Sequence, residues 1–216
     1  MVRSRRAFTL LELLLGVTVT ALVGVSAATV GSTLSTRYQK SEDYYQSLQT
    51  ARVALGKLQS LFRSAQLVTQ VSPTQIMAWR EADGANGQVN PSELVVLTYS
   101  DGTICQSQIA YPAGIATDVK TVLDAPVSLA SAVEQPASTT STLASSPYWT
   151  SRVVASNVAA FSVSGDAAVP MSRMVTITVT SGQGASAVTL RSAACLRGGR
   201  TDRVATVGGH YALVSP

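Results

Sequence analysis

Residues 1–31 read MVRSRRAFTLLELLLGVTVTALVGVSAATVG, and this stretch decides how the rest of the chain is organised. Three arginines, Arg3, Arg5 and Arg6, precede an apolar run that extends from Phe8 to about Val30. A helix needs roughly 20 apolar residues to cross a bilayer, and flanking arginines stay on its cytoplasmic side. The stretch therefore predicts a single-pass anchor whose C-terminal domain lies on the outer side of the membrane.

Two ordinary explanations compete with a functional one for this apolar run. A secretory signal peptide has an apolar region of roughly 7–15 residues followed by a small-residue cleavage site. This run is longer, and its best small residue, Ala7, comes before it. A plain signal anchor is the other alternative, and Glu12 argues against it, because a carboxylate costs ~2.5–3.5 kcal/mol at the bilayer centre and less near its edge. Glu12 therefore indicates a function and a partner for its charge.

The residues around Glu12 carry a more specific signal. Residues 6–14, RAFTLLELL, resemble the cleavage and methylation motif of type IV prepilins and type II secretion pseudopilins. The resemblance implies that prepilin peptidase cuts between Ala7 and Phe8, removes residues 1–7 as a leader and methylates the new amino group of Phe8. Most members of that family have Gly before the cut, where this chain has Ala7.

The same resemblance implies a role for Glu12. After cleavage Phe8 carries an ammonium group, and a carboxylate in a membrane is tolerated when an opposite charge lies close. In a filament Glu12 is expected to meet the N-terminal amine of a neighbouring subunit, as an assembly residue and not a catalyst. The implied partners are prepilin peptidase, other pilin or pseudopilin subunits and inner-membrane lipid. The implied location is the bacterial inner membrane, with a cytoplasmic N-terminus and a periplasmic domain, and then a pilus-like filament.

The apolar helix is predicted to continue beyond the membrane. After residue 31 there is no proline up to Leu67, and apolar residues recur at spacings of three and four, the period of one helical face. We predict a transmembrane helix over 8–31, an amphipathic continuation over 32–67 and a β-rich periplasmic or extracellular domain over 68–216. The predicted buried stripe is Leu48, Ala51, Leu55, Leu58, Phe62 and Ala65.

The pattern changes after Leu67 to short runs of strand type, several of which alternate with a period of two. An Asp101-Gly102 pair between two runs predicts a hairpin turn, and the Ser/Thr-rich residues 128–147 predict an exposed loop. The expected fold is α+β and pilin-like: one long N-terminal helix, transmembrane in its first half, packed on a C-terminal antiparallel β-sheet domain. The predicted strands are Ile76–Arg80, Leu94–Ser100, Thr103–Tyr111, Val119–Leu123, Ala159–Ser164, Met174–Thr180, Ala187–Ala193 and His210–Val214.

Composition argues against nucleic-acid binding and against an enzyme. The formal net charge is +4, but removal of residues 1–7 leaves 13 basic against 12 acidic side chains and no basic cluster. Nucleic acid is expected as a partner only if the chain serves a DNA-uptake filament. His210 is the only histidine, and no nucleophile elbow, P-loop, dinucleotide fingerprint or zinc-protease motif occurs. We expect no catalytic residue, and no cofactor unless the loop described next binds calcium.

Residues 81–93, EADGANGQVNPSE, partly fit the pattern of a calcium-binding loop. With Gly87 in its sixth position, the first and third positions fall on residues without a side-chain oxygen. The alternatives are a polar loop between two strands and a weak calcium site. The candidate calcium ligands are Asp83, Asn86, Asn90 and Glu93.

Cys105 and Cys195 are the only cysteines. Two thiols alone do not form a zinc site, whereas two cysteines in an exported domain favour a disulfide. A Cys105–Cys195 bond would close a loop of about 90 residues and, in the chain-entropy model, would stabilise the fold by up to ~4–5 kcal/mol. The alternative is a pair of free, buried thiols on different strands.

The predicted function is that of a minor pilin or pseudopilin, a structural subunit that primes, caps or enters a filament. Such a filament could serve type II secretion, twitching or DNA uptake. Two alternatives stay open. One is a tip adhesin or binding module whose loops, such as residues 128–147, contact a surface or substrate. The other is a membrane-anchored enzyme that carries a prepilin-type leader.

Overall fold

The structure is a computed structural model that describes residues 9–80, 89–197 and 203–213. It belongs to the α+β class, as predicted, since one long N-terminal helix is followed by antiparallel sheets. The chain divides into two compact units, Met1–Tyr45 and Gln46–Pro216. The helices are α1 Leu10–Ser64, α2 Thr117–Leu123, α3 Leu129–Glu134 and α4 Pro136–Ala144. The strands are β1 Leu67–Val71, β2 Gln75–Trp79, β3 Leu94–Ser100, β4 Thr103–Ile109, β5 Trp149–Ala155, β6 Val158–Gly165, β7 Met174–Ser181, β8 Val188–Cys195, β9 Val204–Val207 and β10 His210–Leu213.

The described part of the first unit is almost entirely the N-terminal portion of α1. All of its described side chains, from Leu10 to Tyr45, are exposed. No charged residue occurs between Glu12 and Arg37, and the helix is long and apolar enough to cross a membrane. The prediction of one helix with the length and composition of a membrane anchor is confirmed.

The C-terminal portion of α1, in the second unit, carries the apolar stripe that the sequence predicts. Five of the six predicted positions are buried, and only Leu48 is half-buried. Ala54 and Leu61 are buried as well. The buried face is therefore wider than predicted, because this portion of the helix packs against two sheets at once. α1 ends at Ser64, shortly before β1 begins at Leu67.

Two antiparallel sheets complete the core around this helix. The five-stranded sheet has the order β1-β2-β3-β4-β5, and the three-stranded sheet has the order β6-β7-β8. One face of each sheet joins α1 in a single hydrophobic core, in which Phe62, Ile76, Ile104 and Ile177 are buried. Only one face of each sheet enters this core because side chains alternate along a strand. In β7, for example, the buried residues alternate with threonines that face the other way.

The five-stranded sheet has a second core on its outer face. Met77, Trp79 and Val96 from the sheet cluster there with Leu129 of α3 and Leu143 of α4. Strands β9 and β10 form a separate hairpin, and its partly buried side chains pack against the same cluster. The five-stranded sheet is therefore covered on both faces.

The turn between β3 and β4 is the hairpin turn that the sequence predicts. Ser100 pairs with Thr103 across it, and Asp101 and Gly102 have positive φ values of 48° and 71°. Positive φ at both central residues is what a type I′ turn requires, and the twist of this turn matches that of the flanking strands. The Asp-Gly prediction is confirmed.

Two predictions for the segment between β4 and β5 are wrong. Val119–Leu123 lies in the helix α2, which has no buried residue, so its apolar side chains do not mark the buried face of a strand. Residues 128–147 contain α3 and α4 in place of an exposed loop. Leu129, Ala132 and Leu143 are buried, so a few apolar residues give this Ser/Thr-rich segment a place in the core.

Candidate functional site

The start of α1 places Glu12 beside Thr9. The Glu12 carboxylate accepts hydrogen bonds from the backbone N–H and from the hydroxyl of Thr9, each at 3.1 Å. In return, the backbone N–H of Glu12 donates to Thr9 Oγ1 at 3.3 Å. This reciprocal arrangement is a capping box, which satisfies backbone donors at a helix N-terminus and puts a negative group at the positive end of the helix dipole. The carboxylate is thus held at the first turn of the apolar helix.

The rest of the apolar span satisfies its own hydroxyl groups. Thr20, Ser26 and Thr29 donate to backbone carbonyls one turn earlier at 2.7, 2.9 and 2.7 Å. Hydroxyls that are bonded within the helix bring no unsatisfied donor into a lipid environment. Glu12 is also the one charged side chain in the part of α1 that precedes Arg37.

Ala7 and Phe8 lie outside the residues that the structure describes. Cleavage between them and methylation of the Phe8 amine stay predictions. Thr9 would be the second residue of a chain cleaved there, and its hydroxyl already contacts Glu12.

The predicted Cys105–Cys195 disulfide is wrong, because both cysteines are free. Cys105 is half-buried on β4 of the five-stranded sheet, and Cys195 is exposed at the end of β8 in the three-stranded sheet. Their chain neighbours Ile104 and Ala194 belong to the core that the two sheets share. Since side chains alternate along a strand, each thiol points away from the core that the two sheets share.

The candidate calcium loop lies only partly within the described residues. Asp83 and Asn86 fall outside them, so the calcium site stays a prediction. Glu93 is 2% exposed, and its Oε2 accepts hydrogen bonds from the Trp79 indole at 2.9 Å and from the Asn90 backbone N–H at 3.3 Å. This carboxylate thus supports the start of β3. Across residues 9–80, 89–197 and 203–213, no group of three or more His, Cys, Asp or Glu side chains is placed to hold a metal ion.

His210 has a carboxylate partner that sequence reasoning did not predict. Its Nδ1 lies 2.8 Å from Oε2 of Glu134, and the backbone N–H of Tyr211 donates to Oε1 of the same carboxylate at 3.3 Å. The hydrogen bond from His210, with a smaller contribution from Tyr211, holds the pKa of Glu134 below its usual value. These two hydrogen bonds connect β10 to α3.

A cavity of about 450 Å³ lies beside α4. The side chains of Ile109, Leu123 and Leu143 form apolar parts of its wall, and those of Gln135 and Ser138 form polar parts. None of the described residues that line it is charged. Within the described part of the chain, neither the Gln135 amide nor the Ser138 hydroxyl has a hydrogen-bond partner, so both are available to a ligand. Sequence reasoning missed this cavity because its walls come largely from the segments predicted as a strand and a loop.

No family model, curated protein or solved structure matches this chain. A long N-terminal apolar helix followed by antiparallel sheets is consistent with a pilin-like fold.

Proposed function

We propose that this chain is a minor pilin or pseudopilin, a structural subunit that prepilin peptidase processes and that enters, primes or caps a type II secretion or type IV pilus-like filament. The observation that carries the proposal is Glu12 in the first turn of a helix long and apolar enough to cross a membrane. The resemblance of residues 6–14 to the prepilin motif supports it. An anchor alone gives no reason for a carboxylate at this position.

The contacts of Glu12 indicate how a separate subunit can hold this charge before assembly. The backbone N–H and the hydroxyl of Thr9 occupy two acceptor positions of the carboxylate. A carboxylate has about four such positions, so the ammonium group of a neighbouring subunit can bind without first displacing Thr9. The added positive charge would offset the cost of keeping a carboxylate among lipid chains.

Processing is the first test, because it precedes assembly. The full chain, expressed with an active prepilin peptidase, is expected to lose residues 1–7 and to begin with N-methylated Phe8. Intact-mass measurement after detergent extraction distinguishes the precursor, the cleaved chain and the methylated chain. A mature N-terminus at any other residue, or a leader that stays attached, would contradict the proposal.

Assembly is the second test, and the helix offers a matched control. Glu12→Ala is expected to leave cleavage and membrane insertion intact, since the span becomes more apolar. Loss of one partner of a buried charge pair costs ~3–5 kcal/mol, so incorporation into sheared filaments should fall tenfold or more. Glu42 lies on the same helix beyond the apolar span, and Glu42→Ala should assemble like the wild type. Equal incorporation of the two variants would exclude an assembly role for Glu12.

A second candidate function, that of a tip adhesin or binding module, is favoured by the cavity beside α4. Its volume and its mixed, uncharged lining lie in the range of small-molecule sites. The test is a thermal-shift screen of uncharged saccharides and short neutral peptides against the full chain in detergent. Ser138→Leu should narrow the cavity and Gln135→Ala should remove a donor, so both should reduce or abolish any shift. A screen without a shift, or a shift that survives both variants, would exclude this function for the cavity.

A further inference from the structure

One face of the five-stranded sheet continues from the hydrophobic core into a polar patch. Ile104 of β4 is buried in the core that contains part of α1, and Gln106 and Gln108 follow it on the same face of the strand. Gln106 pairs across the sheet with Arg152 of β5, and Gln108 contacts Arg80, which directly follows β2. Two arginines and two glutamines therefore meet at one end of this face.

A chain of hydrogen bonds joins the two arginines through the glutamines. Arg80 Nη2 donates to Gln108 Oε1 at 3.2 Å, and Gln106 Nε2 donates to the same oxygen at 3.2 Å. Gln106 Oε1 accepts from Arg152 Nε at 3.2 Å and from Arg152 Nη2 at 2.8 Å. Because Gln106 is only 4% exposed, the centre of this network is fixed by the packing of the sheet.

Among the described residues, no carboxylate balances the positive charge of this network. Neither Arg80 nor Arg152 forms an ion pair with another residue in the described ranges, although a guanidinium stays charged in proteins. Burial and, second, the charge of Arg152 lower the pKa of Arg80 from its usual value. Arg80 Nε is also buried and has no hydrogen-bond partner among the described residues. Two like charges thus share one network, and an anion would relieve their repulsion.

We propose that Arg80 and Arg152 form a binding site for an oxyanion, either a carboxylate or a phosphate group. Arg152 donates to Gln106 through Nε and Nη2, and Arg80 donates to Gln108 through Nη2 alone. The Nη1 groups of both side chains can therefore donate to a ligand. Arg152 is exposed and Arg80 is half-buried, which lets an anion reach the pair from solvent. The glutamines hold both side chains in place beforehand, and this lowers the entropic cost of binding. The site does not require that the chain enter a filament.

Thermal unfolding of the full chain in a neutral detergent tests this site with two probes, inorganic phosphate and succinate. Each probe is compared with chloride at equal ionic strength, which removes general screening. A probe at about ten times its dissociation constant is expected to raise Tm by about 3–6 °C. A response to both probes supports a general oxyanion site, and a response to one identifies the preferred group. No response to either probe would overturn the proposal.

Variants separate the two arginines from positive charge in general. Arg152→Gln and Arg80→Gln should each remove the oxyanion-dependent shift in Tm, and Arg191→Gln, an exposed arginine on β8, should keep it. Arg152→Lys retains the charge but loses the planar fork, so at least half of the shift should disappear. If Arg80→Gln does not fold, Arg152→Gln decides the matter, because Arg152 is exposed. A wild-type shift in the glutamine variants would overturn the proposal.

A carboxylate of the chain itself is the remaining competitor. Glu81 and Asp83 follow Arg80 in the sequence and lie outside the described residues. The double variant Glu81→Gln/Asp83→Asn distinguishes an internal carboxylate from a bound ligand. Equal shifts in this variant and in the wild type support an external oxyanion. A shift that arises only in the double variant would mean that the chain fills its own site, and the proposal would be wrong.

Discussion

The Trp79 indole donates a 2.9 Å hydrogen bond to Oε2 of Glu93 inside the outer core of the five-stranded sheet. Trp79 is fully buried and Glu93 is 2% exposed, so a carboxylate is retained where water does not reach it. Buried polar groups are tolerated when hydrogen bonds satisfy them. The bond joins the last residue of β2 to the residue before β3 and so holds together the two ends of the connection between these strands.

Trp79→Phe is expected to lower the free energy of unfolding by roughly 2–4 kcal/mol, because the carboxylate loses a donor and the smaller ring leaves a cavity. Trp149→Phe makes the same chemical change at a half-buried position and should cost less. Glu93→Gln keeps an oxygen for the indole and should cost less than Glu93→Ala. Urea unfolding measures all four variants. Equal losses for the two tryptophan variants would show that the buried bond contributes nothing.

The contact between His210 and Glu134 predicts a loss of stability in acid. The pKa of Glu134 is below its usual value in the folded chain, so the unfolded chain takes up a proton first as pH falls. The stabilisation is complete above the ordinary glutamate pKa of ~4.3 and is lost as pH falls through the lower folded value. The urea midpoint of the wild type should exceed that of Glu134→Gln near pH 6 and match it near pH 3. A difference that does not change with pH would exclude this charge effect.

Tyr111 carries a buried hydroxyl without a hydrogen-bond partner among the described residues. Burial, with the charges of Asp124 and Tyr148 second and third, raises its pKa to about 12. Tyr111→Phe loses no hydrogen bond, so the free energy of unfolding should stay unchanged or rise by up to ~1 kcal/mol. Ultraviolet titration should show one tyrosine ionising near pH 12, and this step should vanish in Tyr111→Phe but not in Tyr148→Phe. A destabilisation above 1 kcal/mol would reveal a partner for the hydroxyl.

The free cysteines predict two reactive thiols in the absence of a reductant. Denatured, unreduced protein should take up two equivalents of maleimide, and in the native state Cys195 should react before the half-buried Cys105. The double variant Cys105→Ser/Cys195→Ser should not show the loss of ~4–5 kcal/mol that removal of a disulfide closing a 90-residue loop would cause. Uptake of maleimide only after reduction would contradict the free thiols.

Patterns that repeat over many residues predicted the fold well. The stripe on α1 recurs over several helical turns, and the alternation in β7 recurs over its whole length, so one unusual residue does not hide the period. Strand β5 has no such signal. Its polar residues Thr150, Ser151 and Arg152 are exposed together with Val153, so neither face reads as apolar. The sequence therefore predicts no strand there.

Features that depend on residues distant in the sequence could not be predicted. Whether two cysteines can form a disulfide depends on the sheet in which each one lies. The residues around Cys105 and Cys195 do not indicate that their strands belong to different sheets. Arg80 and Arg152 meet because strands β2 to β5 pair in order, and neither residue has a local signal of that contact. The capping box of Thr9 and Glu12 differs from these features, because it lies within four consecutive residues and so has a local sequence signal.

The strand order also affects synthesis of the chain. β1 to β5, and later β6 to β8, pair in the order in which a ribosome releases them. Each new strand covers the edge left by the preceding one, so a nascent sheet never exposes more open edge than the finished one. Open edges recruit strands from other molecules, and incomplete chains are the ones most prone to do so. Half-made copies of this protein therefore offer other molecules no more open strand edge than the finished chain does.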